Sequence, residues 1–232
     1  GPERLAALLR ALAEVRAEPN PSLILGSVDL PPLAVAQLYQ FLASGGRIQP
    51  LRAVRGVLDP EGRPLARYDG RKDAAQPGDA IAARLVTLAL QDAAKRGTAR
   101  ALASGPTAGL AAAGKTGTSN DGRDSWFAGY TGRHLAVAWV GNDQNEATGL
   151  YGATGAMRVW SGLFASLPSQ ALVPGEEGIE WTYVAQGEFA TTEAECPGAR
   201  RYPFVAGYLP AEHLSCTRRS LLDFFGIGAT RQ

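Results

Sequence analysis

Residues 114–131 read Gly-Lys-Thr-Gly-Thr-Ser-Asn-Asp-Gly-Arg-Asp-Ser-Trp-Phe-Ala-Gly-Tyr-Thr, and no other stretch constrains this chain as tightly. A Lys-Thr-Gly-Thr segment runs into a short polar turn and then into an aromatic strand. Turn residues of this kind between two extended runs predict antiparallel pairing. Three strands are expected, over 111–118, 125–131 and 134–140, the last two joined by a tight turn at Gly132-Arg133. The chain holds only three lysines, Lys72, Lys95 and Lys115, so the cation in the Gly-rich strand is read as placed rather than incidental. Thr116 and Thr118, two residues apart, share a face and offer hydroxyl donors to an anion. Gly117 between them lets a ligand backbone approach and pair with the strand.

The flanks supply helices. Leu5, Leu8, Leu9, Leu12 and Val15 form one face of a helix over 3–17, ended by Pro19 and Pro21. Pro31-Pro32 opens a second helix over 33–43, stopped by Gly45-Gly46. Extended segments are expected at 48–58 and 64–68 around an Asp59-Pro60-Glu61-Gly62 turn, followed by a polar loop at 70–78. Asp79 caps a long helix through Arg96, with Ile81, Leu85, Leu88, Ala89 and Asp92 or Ala93 as its inner face and Gly97 as its stop. A further helix over 155–167 ends at Pro168. Beyond it the periodicity weakens, so the division is 1–167 as the main domain and 168–232 as a C-terminal extension, with a short closing helix expected at 220–225. Helices, then an antiparallel run, then a helix packed back onto it argue for an α+β fold.

Composition excludes several classes. With 23 Lys+Arg against 22 Asp+Glu, no basic stripe points to nucleic acid. No apolar run approaches the roughly 20 residues that span a bilayer. The chain opens Gly1-Pro2-Glu3-Arg4 with no Met or apolar leader, and is expected to be a piece that lacks its N-terminal part. Cys196 and Cys216 lie in a Pro/Gly-rich tail and are read as a disulfide, two free thiols being the alternative. Neither is flanked by a second ligand at zinc-finger spacing, so no metal is expected.

Gly109–Thr116 also matches the phosphate-loop pattern G-x-x-x-x-G-K-[ST]. That loop needs a buried strand before it and a helix N-terminus after it. Ser104-Gly105-Pro106-Thr107 precedes it and Gly-Thr-Ser-Asn-Asp-Gly follows it, so nucleotide binding stays a remote alternative. Isolated His134 and His213 are read as surface histidines, and Asp121 and Asp124 as turn formers.

The strand run with its neighbours is similar to a known family. Ala113-Gly114-Lys115-Thr116-Gly117-Thr118, Trp126-Phe127-Ala128-Gly129-Tyr130-Thr131 and Ala138-Trp139-Val140-Gly141 resemble the transpeptidase domain of class A penicillin-binding proteins, whose third signature is Lys-Thr-Gly. Tyr151-Gly152-Ala153-Thr154-Gly155-Ala156 resembles the 1B-type branch. Leu25-Gly26, the segment 35–40, Ala43-Ser44-Gly45-Gly46 and Arg96-Gly97-Thr98-Ala99 fit the same family, so the likeness covers about residues 3–167. It extends more weakly to the two-cysteine tail.

The resemblance implies a penicillin-binding, serine β-lactamase-like fold and a peptidoglycan D,D-transpeptidase working through a serine acyl-enzyme, without a cofactor. Lys115, Thr116, Gly117 and Thr118 would bind the stem peptide or a β-lactam, with Trp126 and Tyr130 as groove lining. Partners would be stem peptides, the upstream part of the transpeptidase domain, and cell-wall synthesis and division proteins. The location would be the periplasmic face of the inner membrane, with an anchoring helix and a glycosyltransferase domain in the parent. One departure is plain: no serine here begins Ser-x-x-Lys or Ser-x-Asn. The nucleophile is therefore expected upstream of this chain, which would be inactive alone. A non-catalytic stem-peptide-binding or cell-wall scaffolding module is the alternative.

Overall fold

The computed structural model describes residues 1–67, 76–77 and 79–216. In chain order its main elements are α1 (Pro2–Ala13), α2 (Pro32–Ala43), β1 (Arg47–Ile48), β2 (Gly56–Leu58), β3 (Pro64–Arg67), β4 (Gln76–Pro77), α3 (Ala80–Arg96), β5 (Ala113–Thr118), β6 (Ser125–Tyr130), β7 (Leu135–Val140), α4 (Ala156–Ser166), β8 (Ile179–Val184) and β9 (Arg200–Val205). The chain divides into two compact units, Gly1–Gly175 and Glu176–Gln232.

The first unit is built around the sheet β5-β6-β7, all antiparallel, with β5 at an edge. The three strands expected from the sequence are there. Register pairs Lys115 with Ala128, Gly117 with Trp126, and Trp126 in turn with Trp139. Side chains alternate across a strand. One face therefore carries Lys115, Gly117, Trp126, Ala128, Tyr130 and Trp139. The other carries Thr116, Thr118, Ser125 and Phe127, and packs on α4.

That second face holds the larger core. Phe127 and Trp160 meet edge to face at 5.3 Å, and Trp160 stacks on Phe164 at 3.9 Å. The Trp160 indole donates to the Gly129 carbonyl at 3.2 Å, which satisfies its polar atom inside an apolar cluster. Ser125, fully buried, joins strand to helix: its Oγ donates to the Tyr151 carbonyl at 2.9 Å and accepts from Ala156 N at 2.8 Å, at the start of α4.

α3 forms as expected, with the Asp79 carboxylate accepting from Ala82 N at 2.8 Å and Gly97 at its end. Its inner face differs from the expectation. Ala83, Thr87, Gln91 and Ala94 are buried, while Ile81, Leu85 and Leu88 are only half-buried and Ala89 is exposed. The polar members are tolerated because each is bonded. Thr87 Oγ1 donates to the Ala83 carbonyl (2.7 Å), and Gln91 Nε2 donates to the carbonyls of Ala111 (2.7 Å) and Leu172 (3.1 Å).

Other differences have local causes. α1 stops at Ala13 because Glu14 turns left-handed (φ 56) and Val15, its N–H on the Leu9 carbonyl, folds into the interior. The expected strand over 48–58 breaks into β1 and β2. Pro50 removes a donor there, and Gln37 takes the neighbouring backbone groups, donating to Gln49 O (2.8 Å) and accepting from Leu51 N (2.7 Å). Gln76–Pro77, expected in loop, pairs with β1. Tyr68 of the expected 64–68 strand, residues 70–75 and 78 of the expected loop, and the 220–225 helix lie outside the described residues.

The second unit contains a β8-β9 hairpin that the weak periodicity of the tail had hidden, with register running from Ile179 opposite Val205 to Val184 opposite Arg200. The Arg201 guanidinium lies over the Trp181 ring, 5.0 Å from its centre. Cys196 and Cys216 form a disulfide, as expected. Glu193 holds the segment beside it, accepting from Ser215 Oγ at 2.7 Å and from Cys216 N at 3.3 Å. These bonds, the Ser215 hydroxyl's first, hold its carboxyl down at about 2.

Candidate active site

β5 lines a groove of about 840 Å³. Its floor is Lys115, Gly117, Trp126, Ala128 and Trp139. Its opposite wall comes from Leu25, Gly26, Val28, Asp29 and Leu30 and from the Pro32, Val35, Leu38 and Tyr39 side of α2. Lys115 is the only cationic side chain among the described residues lining it, and its Nζ donates to the Thr116 carbonyl at 2.9 Å.

The aromatic floor is held in place. Trp126 and Trp139 lie tilted at 6.2 Å, and the Trp139 indole donates to Asp124 Oδ1 at 2.9 Å. A Cβ on Gly141 would fall within 3.0 Å of both that indole and that carboxylate, so glycine leaves the room in which the two meet. The turn is closed by Asp124 N donating to Ser119 Oγ (2.8 Å) and by Ser119 N donating to the Asp124 carbonyl (3.1 Å). Asp124 is thus a turn former that also orients a groove tryptophan.

Thr116 and Thr118 emerge on the face opposite Lys115. Because β5 is an edge strand, an extended ligand lying along its outer margin is within reach of Lys115 from one face and of both hydroxyls from the other. Both hydroxyls already have protein partners. Thr118 Oγ1 accepts from Gly152 N at 3.0 Å, and Thr116 Oγ1 lies 2.6 Å from Thr98 Oγ1. Gly152 is buried against this strand, where a Cβ would come within 2.8 Å of Thr116 Cβ and 2.7 Å of the Gly117 carbonyl.

Comparison with known proteins decides the assignment. The family described as "Penicillin binding protein transpeptidase domain" matches residues 14–158. The chain belongs to the penicillin-binding protein transpeptidase family. Penicillin-binding protein 1B of Vibrio cholerae serotype O1 is 40% identical over 206 residues, 88% of this chain and 26% of that protein. Penicillin-binding protein 1B of Escherichia coli K12 is 38% identical over 185 residues, 79% of this chain and 21% of that protein. The chain thus spans about a quarter or less of these relatives' length. The crystal structure of penicillin-binding protein 1A from Haemophilus influenzae superposes with a TM-score of 0.73 at 20% identity, over 92% of this chain and 38% of that one, and shows the same fold. The α+β penicillin-binding fold and the class A, 1B-type likeness drawn from the motifs are both met.

One expected groove residue is corrected. Tyr130 shares the face of Trp126 but is fully buried, donating or accepting at 2.7 Å with Thr87 Oγ1 and packing edge-on to Tyr39 at 6.3 Å. Helices α2 and α3 cover that end of the sheet. Burial pushes both phenols up to about 12, with Tyr130 adding to the effect on Tyr39. The phosphate-loop alternative fails locally, because Thr116 lies inside a strand and no helix begins after it until a three-residue turn at Asn120–Gly122. Thr98, Gly152 and the 35–40 segment of α2 lie in stretches that fit the family, but no site role was expected for them from the sequence. All lie far from the Lys-Thr-Gly run in sequence.

Proposed function

We propose that this chain supplies the Lys-Thr-Gly wall of a peptidoglycan D,D-transpeptidase on the periplasmic face of a bacterial inner membrane. The observation that carries the reading is an edge strand that presents Lys115, Thr116 and Thr118 along one groove in a chain of the transpeptidase family. In this reading a stem peptide ending in D-Ala–D-Ala lies along β5. The Lys115 ammonium holds the terminal carboxylate electrostatically, and the Thr116 and Thr118 hydroxyls donate to it. A serine outside this chain attacks the penultimate carbonyl, forms the acyl-enzyme and releases the terminal D-Ala. The backbone N–H of Thr118, with that serine's own N–H, stabilises the oxyanion. An amine of a second stem peptide then resolves the ester. β-Lactams take the donor's place. The Cys196–Cys216 disulfide agrees with an oxidising compartment, and no helix among the described residues is long and apolar enough to cross a membrane.

Two measurements on the chain test this. N-acetyl-D-Ala-D-Ala is expected to shift the backbone amide resonances of residues 115–118, and their indifference would end the reading. Incubation with a labelled penicillin should leave the intact mass unchanged. A stoichiometric adduct would show that a serine of this chain is reactive and would overturn the placement of the nucleophile outside it.

A further inference from the structure

The two threonines of the strand differ in how their protons are directed. Gly152 N–H can only donate, so Thr118 Oγ1 is the acceptor in that contact and its own proton stays free for a ligand. The Thr98–Thr116 contact has no such built-in direction, since either hydroxyl can donate across its 2.6 Å. Thr98 follows Gly97 at the end of α3, 18 residues before its partner, and touches the strand from outside the Lys-Thr-Gly run.

We infer that Thr98 is a positioning residue for carboxylate recognition: it donates to Thr116 Oγ1 and thereby turns the Thr116 proton toward the anion at the edge of β5. The inference rests on the proposed site and deepens it. When a carboxylate lies at the edge, Thr116 gives its proton to the ligand. Its oxygen then needs a donor, and Thr98 supplies one at hydrogen-bond distance. Hydroxyls linked in this way polarise each other, which strengthens the outer bond. With Thr98 turned the other way, Thr116 would spend its proton on Thr98 and face the anion with a lone pair. The strand would then hold two carboxylate donors, Thr118 by its fixed acceptor role and Thr116 by its neighbour, beside one cation.

The test titrates the full chain and its Thr98→Val and Thr98→Ser variants with N-acetyl-D-Ala-D-Ala and with the same dipeptide carrying a C-terminal amide. Wild type should prefer the acid. Thr98→Val should weaken binding of the acid about three- to tenfold, the range of a typical hydrogen bond, and leave the amide unaffected. Thr98→Ser should restore the preference. Equal losses for acid and amide, no loss at all, or a Thr98→Ser variant as poor as Thr98→Val would overturn the role of Thr98 while leaving the site intact. A wild-type chain that binds acid and amide alike would overturn the carboxylate site itself, and the inference with it.

Discussion

Tyr130 shows how one covered residue reshapes the site. Its ring is sealed by α2 and α3, and its hydroxyl is matched by Thr87, which keeps a second bond to Ala83. Removing the hydroxyl therefore strands no buried partner, and the usual penalty for an orphaned group does not apply. Tyr130→Phe is expected to cost about 0.5–1.5 kcal/mol in urea unfolding and to leave N-acetyl-D-Ala-D-Ala binding unchanged. A folded Tyr130→Phe protein that lost tenfold in affinity would return Tyr130 to the groove. Trp126 and Trp139 differ because neither is buried, and the Asp124 carboxylate fixes the second of them.

At the scale of elements, two glycines set the spacing between β5 and β6. Gly114 and Gly129 pair across the strands, and the Phe127 ring leans over both: a Cβ at Gly114 would sit 2.6 Å from Phe127 Cζ, and one at Gly129 2.7 Å from Cε1. The ring in turn seats on Trp160 of α4. Gly114→Ala must therefore displace Phe127 inside a packed cluster, and a loss of about 1–3 kcal/mol is expected. An unchanged unfolding midpoint would show that the ring moves freely. The sequence made the strands legible because glycines, threonines and aromatics alternate there with clear turn residues between them. It misled at α3, where the buried stripe includes Thr87 and Gln91: their polarity reads as solvent exposure until their partners, Tyr130, Ala111 and Leu172, are known. The same limit applied to the site. Lys115, Thr116 and Thr118 announce themselves as a motif, whereas Thr98 and Gly152 sit in family-like segments whose contacts with the strand, spanning 18 and 34 residues of sequence, no local pattern reveals.

At the scale of the whole molecule, the two units rest on different kinds of stabilisation. Gly1–Gly175 owns the cluster around Phe127, Trp160 and Phe164, while the described part of the second unit has one hairpin and a disulfide joining residues 20 apart. A small unit with little apolar interior depends on such a link. Closing a loop of that length removes about 3 kcal/mol worth of disorder from the unfolded chain in the entropy model, which is a large share of what one hairpin can supply. Reduction is therefore expected to act on one unit alone. Hydrogen exchange followed by mass spectrometry should show residues 176–216 losing protection after reduction, while peptides from β5, β6 and α4 keep theirs. If β5 loses protection too, the groove depends on the extension, and the two units are one cooperative structure. If neither region changes, the hairpin and the Glu193 contacts hold the second unit without the covalent link, and the disulfide marks the compartment rather than the fold.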